Sequence, residues 1–156
     1  MPNSLKEGDK APPFVLPTDN GGDFAFKDLG GKKLVLYFYP KDDTTGCTKE
    51  AIGFSERLSD FKKSGTIVLG VSKDTVEKHS KFRDKYDLKV GLGADPEGKV
   101  VERYGAWVEK SMYGRKYMGI DRSTFLIDNK GVIRKIWRKV KVPGHVDEVL
   151  KALKAL

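Results

Sequence analysis

Cysteine is nearly absent. The chain of 156 residues contains one, Cys47, so it can form no internal disulfide, which fits a reducing compartment. Histidine is scarce too, with only His79 and His145. One cysteine and two scattered histidines give no metal-ligand spacing, so no metal site is expected. Long apolar runs are missing, and none approaches the length that crosses a bilayer. The opening "MPNSLKEGDKAPP" lacks the apolar middle of a secretory signal. A cytoplasmic protein without membrane contact is expected. Repeats, low-complexity segments and linkers are also absent, and residues 1–156 are read as one domain. Acidic residues are in deficit, 22 against 30 Lys and Arg, for a net charge of +8. Much of the excess lies in "IRKIWRKVKV". Such a patch can bind nucleic acid or steer anions. No nucleic-acid motif accompanies it, so a solvated strand face is favoured and no nucleic-acid partner is expected.

What is present reads as alternating strands and helices. Phe14–Leu16 and Asp23–Phe26 flank the turn Asn20-Gly21-Gly22 and suggest a hairpin. "KLVLYFY", residues 33–39, is a continuous apolar run, the pattern of a strand buried on both faces. From Cys47 the period changes: Cys47, Ala51, Phe54, Leu58 and Phe61 share one side of a helix, and Gly65 ends the exit from it. "TIVLGVS", residues 66–72, is a second buried strand. Thr75–Tyr86 reads as an amphipathic helix with Val76, His79, Phe82 and Tyr86 on one side, capped by Asp74 or Thr75. "VGLGAD" offers a short strand and "GKVVERYG" two helical turns. "STFLIDNKGVIRKIW" is a hairpin. After Pro143, "HVDEVLKALKAL" is a helix that can dock through Val146, Val149, Leu150, Leu153 and Leu156. A helix joins the two central strands, so they should be parallel with a right-handed crossover. The sum is an α/β fold, a mixed central sheet with helices on both faces.

Cys47 lies in "LVLYFYPKDDTTGCTKEA". A lone cysteine is often an inert core residue. Three features argue otherwise. It follows a buried strand, and α/β folds bind ligands in the crevice at strand C-terminal ends. It sits at a helix start, where unpaired N–H groups and the helix dipole favour a thiolate. Thr44, three residues earlier, is near enough for its hydroxyl to reach the sulfur or a bound substrate.

"PKDDTTGC" fits the Pro-x-x-x-Thr-x-x-Cys signature of peroxiredoxins. With its flanks, "YFYPKDDTTGCTKEA" resembles the peroxiredoxin Q, or bacterioferritin comigratory protein, subgroup. "GDKAPPFVLPTDNGG" and "YGAWVEKSMYGRKYMGIDRSTFLID" extend the resemblance over nearly the whole chain. It implies a thioredoxin-like fold and a thiol-dependent peroxidase that needs no metal or organic cofactor. Cys47 resembles the peroxidatic cysteine. Thr44 matches the threonine that hydrogen-bonds sulfur and peroxide, Arg122 the arginine that stabilises thiolate, and Pro40 the proline that shields the site from water. Backbone N–H groups of Gly46 and Cys47 can add donors. Glu50 matches an acidic position one turn on, either orienting the arginine or favouring the helix N-terminus. The implied step is attack of thiolate on a hydroperoxide, leaving a sulfenic acid.

Many relatives carry a second cysteine five residues after the first. Here that position is Ile52. The sulfenic acid must then meet an outside thiol, with thioredoxin, glutaredoxin or a small thiol as candidate reductants, or Cys47 of another copy. No exposed apolar seam is identifiable, and a monomer is expected over a weak homodimer. Two rival readings exist. A cysteine hydrolase needs a base beside the thiol. His79 reads instead as a packing or helix-face residue and His145 as a capping or surface residue, neither with an obvious orienting partner. A basic binding module is the other, resting on the C-terminal lysines and arginines. Trp107 could line the site but reads as core, as do Phe38 and Tyr39 with an edge at the site.

Overall fold

A computed structural model describes residues 5–20 and 22–156. Strands β1 (Val15–Pro17) and β2 (Asp23–Ala25) pair antiparallel, and Phe26 begins a 3₁₀ turn to Leu29 rather than extending the strand. The expected turn includes Gly21, which lies outside the described residues. The apolar run at residues 33–39 forms β3 (Lys33–Phe38), buried from Leu34 onward. The helix expected from Cys47 onward is two helices, α1 (Thr45–Glu56) and α2 (Leu58–Lys63). Between them Arg57 leaves helical geometry at φ −101°, ψ 6°. Its carbonyl then accepts the first N–H groups of a fresh turn, from Asp60 and Phe61. Gly65, at φ +67°, makes the exit into β4 (Thr66–Ser72).

Next come α3 (Val76–Tyr86), β5 (Gly91–Ala94) and α4 (Lys99–Arg103). Thr75 caps α3, accepting from the Lys78 N–H at 3.2 Å. Asp74, the other candidate cap, accepts from the Asp42 N–H instead. A hairpin without a sequence signal follows, β6 (Trp107–Met112) with β7 (Arg115–Ile120). The chain closes with β8 (Ser123–Ile127), β9 (Ile133–Trp137) and α5 (His145–Lys154). Leu156, expected to dock, lies beyond the end of α5 and is 46% exposed.

The main sheet runs β5-β4-β3-β8-β9, with β3 parallel to β4 and antiparallel to β8. This is the mixed sheet of a thioredoxin-like α/β fold. β3 has both faces covered because alternate residues point to opposite sides. Leu34, Leu36 and Phe38 join a core with Val100, Val101, Tyr104 and Phe125. Val35, Tyr37 and Tyr39 join a second core with Cys47, Ala51, Phe54, Phe61, Phe82 and Val149. Helix α4 thus covers one face, and α1, α2, α3 and α5 the other. The basic stretch forms edge strand β9, with Arg134 and Lys135 exposed.

Sheet register positions the site. Phe38 pairs with Ser123, so the C-terminal end of β3 meets the N-terminal end of β8. The loop after β3 and the residue before β8, Arg122, are thereby brought side by side. Among the described residues, no helix is long and apolar enough to cross a membrane.

Candidate active site

Cys47 occupies the first turn of α1, three residues after its N-cap, Thr44. The first intrahelical bond runs from the Thr48 N–H to the Thr44 carbonyl at 2.9 Å. The N–H groups of Gly46 and Cys47 precede it, and the helix supplies no acceptor for them. The thiol is 1% exposed. Its one hydrogen bond among the described residues comes from Arg122, whose Nη2 donates to Sγ across 3.3 Å. Nη1 of the same guanidinium donates to Glu50 Oε1 at 2.7 Å. Glu50 lies one turn after Cys47 on the same side of α1 and is fully buried. A guanidinium suits this position because its planar fork holds two donors in fixed directions. Gly46 makes room for it: a Cβ there would lie 3.1 Å from Arg122 Nη2.

The three groups alter one another. Burial works against the charge of Arg122, but Glu50 and Cys47 together hold its proton more tightly than usual. Burial pushes the Glu50 carboxyl up to about 7, against the pull of Arg122. Its second oxygen, Oε2, is buried and has no partner among the described residues. Between about 4.5 and 7 the folded chain therefore keeps a proton on Glu50 that the unfolded chain has lost. Stability from this group falls as pH rises through that window. His145 acts oppositely. Burial lowers it to about 4, so its contribution is lost as pH falls below 6.5. Glu50→Gln removes the first effect only. Its stability in urea, relative to the unsubstituted chain, should rise by on the order of 3 kcal/mol from pH 4.5 to 7. Parallel stability curves for the two proteins would show that Glu50 does not titrate there.

Thr44 is exposed, and its hydroxyl donates to the Lys41 carbonyl at 2.9 Å rather than to the sulfur. The oxygen keeps its lone pairs free to accept. Pro40 follows β3 and Tyr39 directly and is exposed. Both histidines have partners that the sequence did not disclose. His79 is buried, with Nδ1 2.7 Å from Asp42 Oδ2 and Nε2 3.0 Å from the Gly93 carbonyl. His145, expected as a cap or a surface residue, is 3% exposed, with Nε2 2.8 Å from Thr124 Oγ1. The cap of α5 is Gly144. Neither histidine hydrogen-bonds Cys47, so the thiol lacks the base that a hydrolase needs. Asp42, Asp74 and His79 come within 4.8 Å of one another, a group the sequence spacing had not suggested. Their polar atoms are engaged with each other, Tyr39 and Ser72. Trp107 and Phe38 belong to the core on the face opposite Cys47. Tyr39 is on the cysteine side, and its hydroxyl donates to Asp42 Oδ1 at 2.6 Å.

The chain that builds this buried thiol beside a guanidinium matches the model of the AhpC/TSA family over residues 7–136. The chain belongs to this family and is a peroxiredoxin, a thiol-dependent peroxidase. A relative from Coxiella burnetii is 54% identical over 150 residues, 96% of this chain and 99% of that one. Peroxiredoxin Bcp of Bacillus subtilis is 46% identical over 151 residues, 97% of this chain and 96% of its own. Among solved structures, a cysteine mutant of Xylella fastidiosa PrxQ superposes with a TM-score of 0.93 at 37% identity, covering 98% of both chains. The Xanthomonas campestris bacterioferritin comigratory protein, studied for its alkyl peroxide reduction, gives 0.87 at 42% identity. That match covers 91% of this peroxiredoxin and 90% of the solved chain.

Proposed function

We propose that this peroxiredoxin reduces hydroperoxides through a sulfenic acid at Cys47, which an external thiol then resolves. One observation carries the reading: Arg122 donates to Cys47 Sγ while Glu50 Oε1 fixes its other nitrogen. The thiolate attacks the terminal oxygen of ROOH, the O–O bond breaks, and ROH leaves after taking a proton. Sulfur keeps one oxygen as Cys47–SOH. Arg122 and the N–H groups of Gly46 and Cys47 face the oxygens on which charge gathers, already oriented. Thr44 accepts the peroxide O–H through its free lone pairs, its own proton being held by Lys41. Pro40 shields the mouth of the site, and Glu50 supports Arg122. Hydrogen peroxide and alkyl hydroperoxides, the latter named for the Xanthomonas campestris relative, are the substrate class.

With no second cysteine in the chain, thioredoxin, glutaredoxin or a small thiol supplies the electrons. That requirement suits a reducing cytoplasm. The chain works as one domain, and as a monomer. Intact mass after one equivalent of hydrogen peroxide, with a sulfenic-acid trap present, tests the chemistry. Rapid gain of the trap's mass on Cys47, even against excess free thiol, is expected. Labelling no faster than for an ordinary cysteine overturns the reading. Gly46→Ala probes the donor geometry, because its methyl must push Arg122 aside by a few tenths of an ångström. Alanine suits a helix better than glycine by up to about 1 kcal/mol, so stability should hold. The oxidation rate should fall about tenfold, the size of a weakened charged hydrogen bond. Stopped-flow oxidation together with thermal melting separates the two effects.

A further inference from the structure

A cavity of about 400 Å³ opens between the loop that follows β3 and helix α3, within the size range of small-molecule sites. Four exposed lysines surround it, Lys41 from the loop and Lys78, Lys81 and Lys85 from α3. The helical three recur at three and four residues and so share one side of α3. Phe82 supplies an apolar wall. Lys85 is paired with Asp43 at 2.9 Å. Lys41, Lys78 and Lys81 enter no ion pair among the described residues.

Three aspartates also line the cavity, and each is engaged. Asp42 accepts from the Tyr39 hydroxyl and bonds His79. Asp74 accepts from the Asp42 N–H and the Ser72 hydroxyl, both at 2.7 Å. Asp43 accepts from Lys85 and from the Tyr86 hydroxyl. Four lysines and three aspartates thus share the lining, and three of the ammonium groups stand outside any ion pair among the described residues, over an apolar wall. The loop on which Lys41 stands continues directly into the turn that carries Cys47. Five residues lie between the two, a span of roughly 20 Å at most.

We infer that this cavity binds a small thiol bearing carboxylates and brings it to oxidised Cys47. The inference rests on the external-thiol step proposed above. In the first step Cys47–SOH and RSH form the mixed disulfide Cys47–S–S–R and release water. A second RSH attacks that disulfide, Cys47 leaves as the thiol, and RSSR is released. Two thiols lose two electrons, and the sulfenic acid gains them. Lysine ammonium groups favour an anionic thiol over a neutral or cationic one of the same intrinsic reactivity.

The test oxidises Cys47 with one equivalent of peroxide, confirms the oxidised mass, and then times its reduction. Mercaptosuccinate, 2-mercaptoethanol and cysteamine serve as anionic, neutral and cationic thiols, each corrected for its thiolate fraction. Mercaptosuccinate should be fastest and cysteamine slowest. The mercaptosuccinate to mercaptoethanol ratio should fall about tenfold in the double variant Lys78→Glu, Lys81→Glu, the combined effect of two reversed surface charges. In the unsubstituted protein about 0.5 M salt should pull the ratio toward one, because screening then acts within a few ångströms. That measurement stands even if the double variant does not fold. Equal rates for all three thiols, or a ratio unmoved by the substitutions, overturn the cavity's role and leave the sulfenic-acid reading intact. A preference shown only by an acidic protein thiol overturns the small-ligand assignment. Failure of peroxide to oxidise Cys47 overturns both.

Discussion

Cys47→Ser abolishes peroxide turnover and leaves the protein folded. The reaction needs an atom that gives up its proton far more readily than an alcohol does and is soft enough to attack peroxide oxygen, and a serine hydroxyl is neither. No other cysteine can take over, because the chain has none. The fold tolerates the change for reasons visible around the sulfur. The residue is 1% exposed and packs in one core with Val35 and Tyr37 of β3 and with Tyr39 just beyond its end. Serine is smaller by little, and its oxygen can accept from Arg122 Nη2 as the sulfur does. A stability change of about 1 kcal/mol is the expected scale for such an exchange. Peroxide consumption with excess mercaptoethanol, alongside a urea midpoint, reads both halves. Turnover above the protein-free rate in a folded variant would remove Cys47 from the centre of the chemistry.

Parts of this were legible in the sequence for definite physical reasons. The strands β3 and β4 announce themselves because burial on both faces demands continuous apolar runs. The partners Cys47, Glu50 and Arg122 could be grouped beforehand only through the family resemblance. Residue spacing explains Glu50, one helical turn from Cys47. It says nothing of Arg122, which arrives through antiparallel pairing of β3 with β8. The buried Asp42–His79 contact was hidden the same way, across 37 residues. The hairpin β6–β7 carries no sequence signal because its two-residue turn is Tyr113-Gly114, both at positive φ. Asn-Gly or Asp-Gly would have signalled such a turn, whereas tyrosine rarely adopts that conformation. Its strands are also exposed or half-buried except at Ile120, and Glu109, Lys110, Arg115 and Lys116 interrupt them, so no apolar alternation marks them. Distance along the chain alone puts the Thr44 hydroxyl within reach of the sulfur. The carbonyl of Lys41 lies three residues away in the opposite direction, and it takes the proton.

Arg122→Met should slow oxidation of Cys47 by peroxide about 10²–10³-fold, the usual effect of deleting one preorganised donor aimed at developing charge. Methionine keeps the bulk of the side chain but donates no hydrogen bond. The sulfur then loses its one side-chain donor among the described residues, and in the proposed mechanism the peroxide loses a cation against its leaving oxygen. The second consequence falls on Glu50. Arg122 is what opposes burial at that carboxyl, so without it the value of about 7 rises further. The proton that the folded chain retains on Glu50 is then kept to higher pH. The sign follows: stability of the variant keeps falling beyond pH 7, where the unsubstituted protein has already reached its plateau. Urea midpoints at pH 6 and pH 8 should therefore separate the two proteins more at pH 8. Arg122→Lys distinguishes charge from geometry. One ammonium is a point charge on a flexible stem and cannot reproduce the two fixed donors that serve Sγ and Glu50 together. Its oxidation rate should lie between those of the methionine variant and the unsubstituted protein. A lysine variant as fast as the original would mean that positive charge alone activates the thiol. A methionine variant of undiminished rate would leave the helix N-terminus as the sole source of activation at Cys47.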